Sequence, residues 1–336
     1  MGAGASSTSP RPLMRVDQRK PVLTLALEQN LARETYQKLH ANRNHDQFIT
    51  TADDKLLREL TQSPRINTLV AHRAMHDFNR QNSDQDARQR LAYLSVLDQR
   101  SGLLDPLQSV LPFANRVTLI QLVETLGFAH LLPKYATVGV NEDPVVATKN
   151  AQLEYPLVCK PHAACGPASS HQLAVAFTPA GLRELKPPLL LQQYVAHDAR
   201  VFKAYVVCKT VQLVERPSLP NLHPVFTPDP RAPKLIEFNS RMLPAKESFG
   251  VHLAPTSNRN DDQVWARQRA RVSEVALRLA NCLRVSLVGM DFLATTSGDL
   301  FMVDLNYWPE TCSSLPHTAE TLIRLAEKRL AQADDT

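Results

Sequence analysis

The sequence predicts an α/β protein of about two domains, and three observations carry that prediction. Short β-prone apolar runs alternate with amphipathic stretches of helical period from residue 21 onward. The 336 residues are 43% hydrophobic and 21% charged, enough apolar material for a large core. Near the C-terminus, two strongly apolar runs within 284–309 flank Ser297-Gly298 and read as a hairpin.

Taken in order, residues 1–19 are rich in Ser, Pro and Gly and are expected to be disordered. A strand over 21–27 leads into a helix over 29–41 with Leu31, Tyr36 and Leu39 near one face. A helix through Leu60 follows, with Asp53 or Asp54 as its N-cap, then a strand over 67–72 and a helix over 84–98. Leu103-Leu-Asp-Pro is a turn near a boundary, and a helix over 116–127 stops at Gly127. After a helix over 143–153, the strand 155–160 ends on Lys160. A small-residue loop to His171 and a strand over 172–177 complete a flap whose backbone N–H groups can cover phosphates. Pro187-Pro188 excludes helix, so 189–195 is an apolar strand, followed by the pair 201–207 and 211–214. The stretch 220–233 holds five prolines and is a loop, and Phe238-Asn-Ser is a short polar break. Helices over 261–284 and 319–333 bracket the hairpin.

Composition narrows the function classes. A net charge of +5 is too small to imply nucleic acid and is compatible with an anionic ligand. Five scattered cysteines without a CxxC read as reduced thiols of an intracellular, cytoplasmic protein. No apolar run approaches a membrane span and no signal peptide is visible. The start, Met-Gly-Ala-Gly-Ala-Ser, fits a myristoylation pattern with Gly2 and Ser6, and Arg11, Arg15, Arg19 and Lys20 would add a second membrane signal. A small-residue disordered tail is the simpler reading of the same residues, so membrane contact is expected only if Gly2 is acylated.

The hairpin carries the chemistry. With Ser297-Gly298 as a two-residue loop, counting outward puts Asp291 opposite Asp304, and Asn306 shares their face. Two carboxylates and an amide oxygen, without sulfur or imidazole, suit magnesium. A hairpin with one solvent-facing side would also place polar residues there. Facing carboxylates repel, so replacing Asp304 by Asn is expected to leave the metal-free fold as stable or more so. Lys160, on an apolar strand beside the flap, is a candidate phosphate contact, and Gln192 needs a hydrogen-bond partner if buried, an adenine edge being one candidate.

The order of a lysine strand, a flap, an apolar hinge strand, a second lysine and an Asp…Asp-x-Asn hairpin resembles the ATP-grasp architecture, in which two α+β subdomains clamp ATP. Within it, the chain resembles the inositol-tetrakisphosphate 1-kinase (inositol 1,3,4-trisphosphate 5/6-kinase) family. The stretch from Pro187 through Val207, Glu215-Arg-Pro-Ser-Leu, Tyr155-Pro-Leu-Val-Cys-Lys, Phe238-Asn-Ser, Val288-Gly-Met-Asp and Val303-Asp-Leu-Asn carry the likeness, which covers about 105–330 and extends weakly to Ala71-His-Arg. Beyond the tail over 1–19, the resemblance implies an N-terminal α/β substrate-side domain over 20–104 and ATP-grasp subdomains over 105–190 and 191–334. It implies an ATP-dependent kinase acting on a hydroxyl of an inositol polyphosphate, with two magnesium ions, working as a monomer without nucleic acid. ATP would meet Arg116, Lys160, Gln192, Gln193, Tyr194, Val195, Lys203, Ser218 and Ser240. The inositol phosphate would meet Arg73, His171, Lys203 and Asn306, and the metal Asp291, Asp304 and Asn306. Lys160, Lys203 and Asp304 would be the catalytic set.

Three positions depart from the family pattern. Asn30 stands where a basic substrate residue is expected, with Arg33 nearby; the flap has an extra residue before His171; and Pro309 is followed by Glu310 in place of Gly. These leave the ATP and metal residues intact and bear on which inositol phosphate is accepted. Two other readings share parts of this pattern: a carboxylate–amine ligase of the same fold, and a non-catalytic inositol phosphate-binding protein.

Overall fold

The computed structural model describes residues 22–26, 48–51, 54–63, 68–166, 168–223, 232–255, 262–309 and 318–334. The expected tail, the helix over 29–41, and Gly2, Asn30, Arg33, Asp53, Glu310 and Cys312 lie outside them.

Three sheets organise the described chain. The first is parallel, with β1 (Val22–Ala26) between β2 (Phe48–Thr51) and β3 (Thr68–His72). Helix α1 (Asp54–Gln62), α2 (Ala74–Arg80) and α3 (Gln85–Gln99) belong to this N-terminal unit. The second sheet has five strands in the order β10-β6-β5-β7-β4, formed by β4 (Tyr135–Val138), β5 (Leu157–Pro161), β6 (Gln172–Ala176), β7 (Leu189–Gln193) and β10 (Leu235–Asn239). The third runs β12-β11-β8-β9, from β8 (Arg200–Val207), β9 (Thr210–Pro217), β11 (Leu287–Ala294) and β12 (Leu300–Tyr307), all antiparallel.

Local chemistry explains where the helices start. Asp84 accepts from Ala87 N–H ahead of α3. Asn115 accepts from Val117 N–H at 2.8 Å ahead of α4 (Arg116–Thr125), and Gly127, at φ 85°, ends it. Asp143 accepts from Val145 N–H at 2.8 Å, with Pro144 opening α5 (Pro144–Asn150). Helix α6 (Asp262–Leu283) packs on β8, β9 and β11, and α7 (Thr318–Asp334) packs on β1, β3 and β8. The C-terminal helix thus returns to the N-terminal sheet, and one core runs from Leu69 and Ala71 through Phe202 and Phe292 to Leu322.

Several described elements differ from the sequence reading. Strands β2 and β4 and helix α2 are additional. The stretch read as a polar break at Phe238-Asn-Ser is the end of β10, which pairs antiparallel with β6 from Leu235↔Ala176 to Asn239↔Gln172. Its partner supplies the β geometry that its own mixed composition does not announce. Strand β7 spans the expected boundary at 190/191, and β10 joins the central sheet from beyond it. The four described cysteines are free thiols, and no described helix is long and apolar enough to cross a membrane.

Candidate active site

The second and third sheets and the N-terminal unit face a common cavity of about 890 Å³. Every residue singled out above as a nucleotide, acceptor or metal contact lines it, from Arg73 and Arg116 through Lys160, His171, Gln192–Val195, Lys203, Ser218 and Ser240 to Asp291, Asp304 and Asn306.

The hairpin floor is set by an irregularity. Asp291 does pair with Asp304, but the loop between the strands is five residues, 295–299, not two. Thr295 N–H donates to Asp299 O at 2.9 Å, and Gly298 sits at φ 94°. Pairing runs from Ala294↔Leu300 to Phe292↔Met302, then shifts to Asp291↔Asp304, leaving Val303 as an unpaired bulge. Leu300 and Met302 point into the core before the bulge, Leu305 and Tyr307 after it. The bulge therefore reverses the alternation and turns Asp304 and Asn306 to the cavity instead of the core. Lys160 Nζ donates to the bulged Val303 carbonyl at 2.6 Å, tying the central sheet to the hairpin.

Cations offset the repulsion between the two carboxylates. Lys203, paired with Asp291 across β8 and β11, donates to both of its oxygens at 2.9 and 2.7 Å. Asn306 Nδ2 donates to Asp304 Oδ2 at 2.9 Å, and Arg116 Nε lies 4.0 Å from Asp304 Oδ1. Burial pushes the Asp304 carboxyl up, but Arg116, Lys160 and the Asn306 amide outweigh it and hold the group below its usual range. Cations thus surround Asp304, which argues against the expectation that replacing it by Asn leaves the metal-free fold as stable or more so. Burial raises Asp291, and the charge of Asp304 adds to that against the pull of Lys203. Burial works to lower Lys203, and Asp291 reverses the sign, so the ammonium is held charged. Burial lowers Lys160 to about 8, with Arg116 adding to it against Asp304.

The hinge strand supplies mainly backbone. The Gln193 amide is used up on Glu154, donating to its carbonyl at 2.7 Å and accepting from its N–H at 2.9 Å. Gln192 is 3% exposed, and its Oε1 has no hydrogen-bond partner, an orphan acceptor that an exocyclic amine would satisfy. His197 Nδ1 donates to Val195 O at 2.6 Å, which fixes Nε2 as the acceptor for Ser218 Oγ–H at 2.8 Å. Across the cavity, His171 Nδ1 lies 3.3 Å from Ser240 Oγ.

Two features were missed in the sequence. His76 lines the cavity beside Arg73; burial, with Arg73, Arg80 and His171, drives it down to about 3, so it is neutral. Asp105, read only as part of a turn, is fully buried and accepts from Ser286 N–H, Ser286 Oγ–H and Tyr307 O–H at 2.9, 2.7 and 3.0 Å. Its carbonyl accepts from His72 Nε2 at 2.8 Å, so one residue ties the Arg73 side of the cavity to both strands at the open end of the hairpin. Leu-Asp-Pro carried no sign of partners so distant in sequence.

Comparison with known proteins decides the family. The profile of the inositol 1,3,4-trisphosphate 5/6-kinase ATP-grasp domain matches residues 131–324. The chain belongs to this family. Among curated members, inositol-tetrakisphosphate 1-kinase 5 of Oryza sativa subsp. japonica is 29% identical over 218 residues, 62% of this chain and 63% of that protein. Inositol-tetrakisphosphate 1-kinase of Danio rerio is 31% identical over 158 residues, 47% of this chain and 38% of that one. Inositol-tetrakisphosphate 1-kinase 1 of Zea mays is 29% identical over 235 residues, 67% of each chain. The matched stretches thus span 63% and 38% of the rice and zebrafish relatives. A crystal structure of D-alanine–D-alanine ligase from Bacillus anthracis superposes with a TM-score of 0.57 at 11% identity, covering 94% of this chain and 99% of that one. The same ligase complexed with ATP gives 0.55 over 93% and 97%. At that identity the likeness shows the fold, which is ATP-grasp.

The magnesium that the resemblance implies fits these residues. Asp291, Asp304 and Asn306 offer hard oxygens on one face of paired strands, inside a cavity roomy enough for phosphates.

Proposed function

We propose that this protein transfers the terminal phosphoryl group of ATP to a hydroxyl of an inositol polyphosphate. The observation that carries the reading is the meeting, in one cavity, of an apolar hinge with an orphan amide acceptor, a carboxylate hairpin, and basic side chains from the N-terminal unit. Adenine would lie along Gln192–Val195, the ribose near Ser218, and the phosphates at Lys160 under the flap, with Ser240 beside them. Magnesium held by Asp291, Asp304 and Asn306 would neutralise charge gathering on the transferred group. Lys203, kept charged by Asp291, and His171 and Arg73 would hold the acceptor's phosphates. The acceptor oxygen forms its bond to the γ-phosphorus as the bond to the ADP oxygen breaks, and the acceptor proton is lost to solvent. Among the described residues no side chain is placed as a dedicated base, so positioning and charge would supply the rate. We further propose that 20–104, 105–190 and 191–334 act as three units, with β10 lent by the last to the second.

A panel of inositol tris- and tetrakisphosphates with labelled ATP and position-resolved products tests this reading. Incorporation of label into at least one of them is the expected result; none at saturating magnesium and ATP would sink it. Carboxylate and amine pairs in the same assay test the ligase reading. Tight inositol phosphate binding without turnover would support the non-catalytic one.

Arg73 follows β3 and reaches the cavity from the N-terminal unit, away from the nucleotide hinge. A charge-assisted hydrogen bond is worth about 1.5–3 kcal/mol. Arg73→Ala should therefore weaken acceptor binding by at least about tenfold and leave ADP affinity within about twofold. Calorimetric titration of both ligands checks this, and wild-type acceptor affinity in the variant would remove Arg73 from the acceptor wall.

A further inference from the structure

The loop from Lys160 to His171 covers one side of the cavity; Asn79 Nδ2 donates to the Cys165 carbonyl at its middle at 2.8 Å, and one buried side chain fastens both its ends. Arg116, 9% exposed, sends Nη1 to the carbonyls of Pro161 and Ala163 at 2.9 and 2.6 Å, and Nη2 to the carbonyl of Ser170 at 3.1 Å. These acceptors stand at the two ends of the loop. Backbone bonds reinforce the attachment: Arg116 N–H donates to His162 O at 2.8 Å, and Ala164 N–H to Ala114 O at 3.0 Å. Only Nε lacks a hydrogen-bond partner, and it faces Asp304 Oδ1. The terminal nitrogens that would grip a phosphate are spent on the loop.

We infer that Arg116 is a positioning residue, a clasp that shuts the flap and holds it at a fixed distance from Asp304. The geometry needs a guanidinium. Its planar fork reaches three carbonyls at once, whereas an ammonium on a flexible stem reaches few and fixes none of their directions. Left without donors, those loop carbonyls would turn to water and the loop would open. The clasp also sets His171, the residue after Ser170, beside Ser240, whose N–H donates to His171 O at 2.8 Å. The clasp stands whatever the cleft binds; its effect on nucleotide rests on the kinase reading.

Hydrogen exchange on the ligand-free protein tests it, with Arg116→Lys and Arg116→Met beside wild type. Amides of 162–171 should exchange at least about tenfold faster in both variants, although only one has lost the charge, while those of β7 stay as slow as in wild type. ADP affinity, measured by titration, should fall to a similar extent in both. Wild-type loop exchange in Arg116→Lys, or equal acceleration in β7, would overturn the clasp. So would the ranking expected of a direct phosphate ligand, with Lys near wild type and Met far weaker. A wild-type protein that bound no ADP would sink the kinase reading and leave the exchange comparison standing.

Discussion

Asp304→Asn should lower turnover by at least about a hundredfold, the scale of losing one preorganised charge-stabilising group, roughly 2.7–4 kcal/mol. The substitution keeps shape, and its amide oxygen can still accept from Asn306 Nδ2. What disappears is the charge that offsets Arg116 and Lys160. The ligand-free variant should accordingly melt lower than wild type, at about 2–4 °C per kcal/mol for a chain of this size. The sign follows from the lowered carboxyl: its stabilisation is complete above the unfolded value of 3.8 and is lost as pH falls through the lower folded value. The difference in melting temperature should be full at pH 7 and close only below about 3.8. Initial rates and melting curves from pH 3 to 7 on the same samples decide it. A variant that melts at or above wild type at neutral pH would mean that repulsion from Asp291 governs the floor after all.

Lys160→Met should weaken ATP and ADP binding by about 10- to 150-fold, the range for a charge-assisted hydrogen bond of 1.5–3 kcal/mol. Turnover should fall with it. The wild-type lysine, lowered to about 8 by burial, must be protonated to hold phosphates. Its pKa rises again when they bind. Nucleotide affinity should therefore be level below pH 8 and fall above it by up to about tenfold per pH unit, as binding takes up a proton. The methionine variant should show weak affinity with no such slope. Titrations from pH 7 to 9.5 compare the two, and parallel profiles would show that another group is responsible.

Much of this molecule is legible one residue at a time. Asp84, Asn115, Asp143 and Gly127 mark helix ends because capping is settled within four residues. Lys160, Gln192 and the hairpin carboxylates stand out as polar groups in apolar strands, which cost too much to be accidental. The Asp291–Asp304 pairing was reached through two errors that cancel, a loop three residues too short and a bulge not foreseen. No local pattern could reveal that bulge, because the lysine that holds Val303 lies 143 residues away. Asp105 is hidden for the same reason, its partners Ser286 and Tyr307 standing 181 and 202 residues along the chain. Strand β10 escapes notice because its pairing with β6, and not its composition, makes it a strand. Arg116 shows the opposite failure: the residue is found, but whether it faces a ligand or the protein's own carbonyls depends on a loop that sequence cannot fold.

The three cations gathered around the two carboxylates bear on how the protein passes the time between turnovers. A pocket that carries its own counter-charges can fold and wait without a metal. In the proposed kinase a divalent ion would come and go with the nucleotide, a reagent of the reaction and not a fitting of the protein, and each departing pair would leave Lys160, Lys203 and Arg116 to close the electrostatic gap.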